Sequence, residues 1–260
     1  VEGPFDSDGL SLSESRAKIF VCQPSESIEE RACAEDIARN LASKAFRRPV
    51  TEEDLEWLMP FYEVGRVEAG GFDSGVLELV TAILSSPDFL YRAIQTAPDQ
   101  ARTLNDLELA SRLSFFLWSQ GPDEELISLT AEGKLSDPAI MQAQITRMLD
   151  DPRAQSLVEN FALAWLNLDE LDAVEPTDRI FNNAMRVNYE TEIRLFLASV
   201  LLEDRSVHEL LTADWTFVNE ALSNQYDIPN VFGSQFRRVS LADENRFGLL
   251  GKGATLLRTS

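Results

Sequence analysis

A single histidine, His208, stands in 260 residues, so no zinc site with two or three imidazole ligands can be assembled from this chain. Serine hydrolysis is disfavoured for the same reason: His208 would be the only available base, and no G-x-S-x-G elbow occurs. Cysteine is nearly as scarce. Cys22 and Cys33 fit neither C-x-x-C nor the C-x-x-C-H pattern of haem attachment, so no cofactor is expected within this segment. They form a disulfide closing a short loop if the protein is exported, or else two unconnected thiols. No apolar run approaches the roughly 18–20 residues of a membrane span, and no signal peptide is present. Cations are also in deficit, with 23 Lys and Arg against 44 Asp and Glu and a net charge of −21. That balance repels phosphate backbones and anionic headgroups, which disfavours nucleic acid and membrane surfaces as partners. A basic partner or a cation suits it better, although such acidity serves first as a solubilising surface. Repeats and low-complexity tracts are missing as well.

What is present reads as helix. With 44% hydrophobic and 26% charged residues, the chain has the composition of a globular protein large enough for one core or two. The stretch Leu107–Leu129 is the organising element: Leu109, Ala110, Leu113, Phe116 and Leu117 recur at helical spacing, and Phe115 and Trp118 widen the stripe into that of a core helix. Asn105 and Glu108 form a capping box before it, and Gly121-Pro122 ends it. Upstream, Ser27 with Glu30 and Thr51 with Asp54 are capping boxes for two helices, the second containing Pro60. Gly70-Gly71 separates them from a third helix over Asp73–Ser85. The N-terminal flank, 1–26, is expected to be irregular, with Lys18–Val21 as an edge strand. Residues 93–104 suit a linker.

Downstream, Asp137-Pro138 and Asp151-Pro152 each read as an N-cap followed by a first helical residue. The second of these opens a helix through Leu157, Phe161, Ala164 and Trp165. Asp169–Asp178 is an acidic loop, and Phe181–Glu203 the longest helical pattern. Ser206 caps a short helix, Thr216–Leu222 suits another, and Arg237–Leu241 a short strand. The expected fold is therefore all-α: two helical units, 27–92 and 105–232, with irregular flanks and one short strand pair. Because the sequence starts VEGPF without a methionine and closes just after a glycine-rich turn, it is expected to be a piece of a longer protein.

Three blocks resemble known families. Cys33, then Ala45-Phe46-Arg47-Arg48-Pro49-Val50-Thr51, then Ser85-Ser86-Pro87-Asp88-Phe89-Leu90-Tyr91-Arg92 are similar to domain of unknown function 1595. Asp106–Trp118 with Pro122-Asp123, Met148–Arg153, Asn160-Phe161 with Trp165-Leu166, and Asp214–Glu220 resemble domain of unknown function 1592. Gly248–Gly251 through Thr259-Ser260 is similar to the opening of domain of unknown function 1588, making 233–260 its truncated start. The resemblance implies an exported, periplasmic or cell-surface protein of planctomycete type, often with a c-type cytochrome domain elsewhere in the parent chain. It implies no catalytic residues.

Several constellations invite a functional reading. The acids Asp169, Glu170, Asp172, Glu175 and Asp178 lack the EF-hand pattern and suit a solvated loop better than calcium. Arg47 and Arg48, after a helix end, are structural ion-pair candidates that would bridge the helical units through a buried carboxylate; an anion site is the rival. Trp118, Trp165 and Trp215 with Phe115, Phe116 and Phe161 are expected in the core rather than in a ligand groove or electron relay. The favoured function is a scaffold or interaction module of a cytochrome-associated exported protein, which docks the cytochrome domain of its parent chain or another protein. The alternative is part of an extracytoplasmic enzyme acting on polysaccharide, its site completed elsewhere in the parent chain.

Overall fold

The structure, a computed structural model, describes residues 13–68, 70–91, 102–168, 171 and 183–259. Helices dominate, and the only sheet among the described residues is one antiparallel strand pair, in keeping with the fold class the sequence predicts. The chain divides into two units, Val1–Phe115 with Gln120–Met141, and Phe116–Ser119 with Gln142–Ser260. Most of the expected linker and all five named acids of the loop Asp169–Asp178 lie outside the described residues.

The first unit is built on the helices Glu30–Phe46, Glu52–Glu68 and Phe72–Ser85. Their facing sides bury Ala34, Ile37, Ala38, Leu58 and Leu79 completely. Glycine lets the second and third helices approach closely: a Cβ on Gly75 would fall 2.6 Å from the Tyr62 ring, and one on Gly65 2.7 Å from the Ser74 carbonyl. Thr51 and Asp54 close their capping box, the Thr51 N–H donating to Asp54 Oδ2 at 2.7 Å and the Asp54 N–H to Thr51 Oγ1 at 3.2 Å. Pro60 sits inside that helix at an exposed position, where solvent can take the carbonyl its missing N–H leaves open.

Two local expectations fail here. Lys18–Val21 is not an edge strand; Ser13 caps a helix, Glu14–Ile19, through the Arg16 N–H. That turn is held by Arg16, which pairs with Asp73 at 2.7 Å and lies over the Phe20 ring at 3.9 Å. The Ser27–Glu30 box does not form either: the helix starts at Glu30 after Glu29, whose carboxylate instead accepts from the Ser25 N–H. Cys22 and Cys33 are joined by a disulfide, which ties the incoming chain to the first turn of that helix. Further along, the Asn105–Glu108 box closes in both directions at 2.9 and 3.0 Å, and Asp106 accepts from the Leu135 N–H at 2.8 Å.

The second unit is organised around the long helix Asn183–Leu202, which buries Ile193, Phe196, Leu197 and Val200. Against it lie Val158, Ala162, Leu163, Trp215, Val218, Leu222 and Ala254. Trp215–Val218 forms a strand where a helix is expected over Thr216–Leu222, because the run Trp-Thr-Phe-Val favours an extended backbone and finds a partner. That partner is Arg237–Ser240, antiparallel, with Trp215 opposite Ser240 and Val218 opposite Arg237. The helix begins only at Glu220, capped by the Asn219 side chain. A final helix, Gly253–Thr259, completes the unit.

The segment after Asp151 also departs from the α-helix expected there. Asp151 caps a 3-10 turn, Pro152–Ala154, and residues Leu157–Ala162 then wind as a π-helix. The wider turn shifts the face that meets the core. Leu157, Val158, Ala162 and Leu163 are buried, while Phe161, Ala164 and Trp165 point outward.

Candidate functional site

Two features of the second unit carry functional chemistry. One is sealed and one is open.

The sealed feature gathers around Glu192, which interrupts the apolar stripe of the long helix. Its carboxylate accepts from the Thr216 hydroxyl at 2.6 Å, the Tyr226 hydroxyl at 2.7 Å and the Gly253 N–H at 3.3 Å. A strand, a turn and the start of the last helix thus converge on one acid. Beside it Lys252 donates from Nζ to the carbonyls of Trp215 at 3.2 Å and Arg246 at 3.4 Å, and its ammonium lies 4.6 Å from the centre of the Phe196 ring. Glu192 is 0% exposed and Lys252 1%. Burial disfavours charge on both: it raises the Glu192 carboxyl above its usual range, against the three donors and the lysine, and lowers the Lys252 ammonium to about 8. Tyr226 is pushed well above the usual phenol range by burial and by the carboxylate it faces. The chemistry resembles that of an acid–base site, but in this structure Glu192, Lys252 and Thr216 are closed to solvent and only Tyr226 is partly exposed. Its evident work is to fasten the last helix and the strand pair to the long helix.

The open feature follows from the π-turn. Phe161 and Trp165 project together, joined by Phe116 at the end of the helix Asp106–Trp118. The Phe161 and Trp165 rings are parallel within 5°, with centroids 6.1 Å apart, and Phe116 meets Phe161 edge-on at 5.6 Å. Exposures are 54% for Phe116, 44% for Phe161 and 65% for Trp165. Next to Phe161 in the chain, the Asn160 amide donates to Ser119 Oγ at 2.8 Å.

The expectation that all the named aromatics serve the core is therefore corrected for these three. It holds for Trp118, whose indole N–H donates to the Met148 carbonyl at 2.9 Å beneath the Arg153 guanidinium, and for Trp215, packed on Phe196 at 5.0 Å. Arg48 clasps both oxygens of Asp54 at 2.6 and 2.8 Å and reaches Asp88 at 2.7 Å, all within the first unit. The guanidinium holds the Asp54 carboxyl far below the usual carboxylate range. Arg47, with a left-handed backbone at the helix end, donates to the carbonyls of Asp88, Phe89 and Tyr91. His208 is exposed, with Nδ1 3.2 Å from Ser206 Oγ, and no cluster of three metal-ligating side chains occurs among the described residues. No described helix is long and apolar enough to cross a membrane.

Sequence reasoning missed the Glu192–Lys252 cluster. One signal was there: Glu192 lies beside Ile193 in line with Tyr189, Phe196 and Val200, where an acid must be partnered.

Comparison with known families returns two matches. Residues 104–228 match PSD4, described as a protein of unknown function (DUF1592), and residues 33–93 match PSD5, a protein of unknown function (DUF1595). Neither match carries the resemblance of Gly248–Ser260 to a third domain. No curated protein and no solved structure matches the chain.

Proposed function

We propose, for a chain that carries the DUF1595 and DUF1592 domains in that order, a role in recognition: a binding module of an exported, cytochrome-associated protein. The module holds the redox domain of its parent chain against a surface that the aromatic face of the second unit contacts. The observation that carries this reading is the exposure of Phe116, Phe161 and Trp165 as one ring cluster, while the most interconnected ionisable groups of that unit are sealed. Large aromatic side chains left outward by a π-turn are suited to binding, since such turns concentrate at functional positions. The Cys22–Cys33 disulfide supports export, because such bridges persist in oxidising compartments. The cytochrome association rests on the family resemblance, and a net charge of −21 favours a basic domain as the docked partner.

The test uses the full-length parent protein beside its Phe161→Ala/Trp165→Ala variant, each partitioned between soluble and cell-envelope fractions of the producing cells. The parent is expected on the envelope and the variant in solution. Equal partition of the two would remove the aromatic face from the protein's function. Titration with the cytochrome domain at low and high salt checks the docking: binding should weaken as salt screens the acidic surface.

A further inference from the structure

We infer that the aromatic face of the second unit binds a neutral polysaccharide, stacking pyranose rings on Trp165 and Phe161. This inference rests on the recognition role proposed above and names its ligand.

Four observations lead to it. First, rings packed directly face to face stand about 3.5–4 Å apart. Parallel rings with centroids at 6.1 Å are therefore not in full face-to-face contact, and both residues keep surface open to solvent. Trp165, the most exposed of the three, offers the widest area. A pyranose presents a flat face of C–H groups of similar size, and consecutive sugars present a row of them. A parallel, exposed pair of rings matches a chain of sugars better than it matches an irregular side-chain surface.

Second, the patch is small. Taking roughly 200 Å² for a whole aromatic side chain, the exposed parts of these three amount to about 300 Å². A stable protein–protein interface needs about 800 Å² from each partner. The open area suits two or three sugar rings, and a protein partner would need contacts well beyond it.

Third, the border supplies what hydroxyl groups require. Asn160 and Ser119 are exposed, and the Asn160 amide, while donating one hydrogen to Ser119, keeps its carbonyl oxygen and second N–H available by valence. Planar amides beside an aromatic face bind vicinal hydroxyls.

Fourth, charge selects among polysaccharides. A protein of net charge −21 repels sulfated and uronic-acid chains, which leaves neutral ones as the class bound through this face.

The experiment is affinity gel electrophoresis and calorimetric titration of the full parent protein against soluble β-glucan, α-glucan, xylan and mannan, with alginate as the polyanion control. At least one neutral glycan should retard the protein, and alginate should not. Trp165→Ala should weaken binding at least about tenfold, which is about 1.4 kcal/mol, and Trp165→Phe should restore part of it because a ring face remains. Trp165 is outside the core, so the melting temperature of each variant should match the parent's and separates lost binding from lost fold. Failure of all four neutral glycans to bind, or binding that Trp165→Ala leaves unchanged, overturns the inference. Should the envelope partition depend on Phe161 and Trp165 while no glycan binds, the recognition role stands and the ligand is a protein. If the partition is unaffected as well, both fall.

Discussion

Glu192→Gln tests the physical account of the second unit. Glutamine keeps the shape, with one acceptor oxygen for the Thr216 or the Tyr226 hydroxyl and an NH2 that donates to the other hydroxyl's oxygen, but does not titrate. Burial raises the folded-state pKa of Glu192 above its unfolded value near 4.5. Above that pH the unfolded parent has released a proton that the folded parent retains, so this residue's contribution to stability falls as pH rises, until the folded pKa is passed. The slope is at most about 1.4 kcal/mol per pH unit while the unfolded carboxyl has lost its proton and the folded one keeps it. The variant has no such fall. The unfolding free energy of the variant minus that of the parent should therefore increase with pH. Urea unfolding at pH 5, 6 and 7 measures it. A difference that is flat, or that moves in the parent's favour, would mean the three donors and Lys252 hold the carboxylate charged in the fold, refuting the claim that desolvation dominates.

Other perturbations address other contacts. Glu192→Ala leaves the Thr216 and Tyr226 hydroxyls without their acceptor and should cost about 1–3 kcal/mol for each in the same assay. Replacing Cys22 and Cys33 together by alanine frees a loop of 11 residues and should lower stability by about 2.8 kcal/mol on chain entropy; reductant should lower the parent to the same value and leave the variant unmoved. Arg48→Lys loses the two-pronged grip on Asp54. Because that carboxyl is held far below its unfolded value of 3.8, the parent's advantage should be complete above about pH 4 and shrink progressively as pH falls from there toward the lowered folded pKa, so thermal unfolding should show a smaller advantage at pH 2.5 than at pH 6. Gly253→Ala would place a Cβ 2.1 Å from the Tyr189 ring and should leave the last helix undocked, seen as loss of amide protection over 252–259.

How much of this was legible depended on the range of the interaction responsible. Capping boxes at Thr51–Asp54 and Asn105–Glu108 depend on residues three apart and appear as read, whereas the Ser27–Glu30 box gives way to an equally local contact, the Ser25 N–H donating to Glu29. Other failures come where the deciding partner is distant in sequence. Arg16 holds a helix where a strand was expected because Asp73 lies 57 residues on, and Trp215–Val218 is extended because Arg237–Ser240 pairs with it. The aromatic face was missed through a change of period: α-helical spacing puts Phe161 and Trp165 inside, and a π-turn puts them outside. Apolar pattern alone does not separate the two windings. The buried acid was visible as a polar residue in an apolar stripe, but its partners Thr216, Tyr226 and Gly253 carry no local mark.

The distance along the chain between Glu192 and Gly253 sets an order on how the second unit acquires its structure. Bringing together groups 61 residues apart costs about 3.6 kcal/mol of loop-closure entropy, beyond a constant. The helices of the first unit, by contrast, meet across short turns. Until the last helix arrives, the Glu192 carboxylate and the Lys252 ammonium remain hydrated and charged, and hydration favours the open chain. The second unit should therefore close late and in one step, as its acid and amine give up water together, with the first unit already formed. During that interval Phe196, Trp215 and the neighbouring apolar strand are uncovered, which makes the stretch from Glu192 to Gly253 the period in which this protein is most exposed to aggregation.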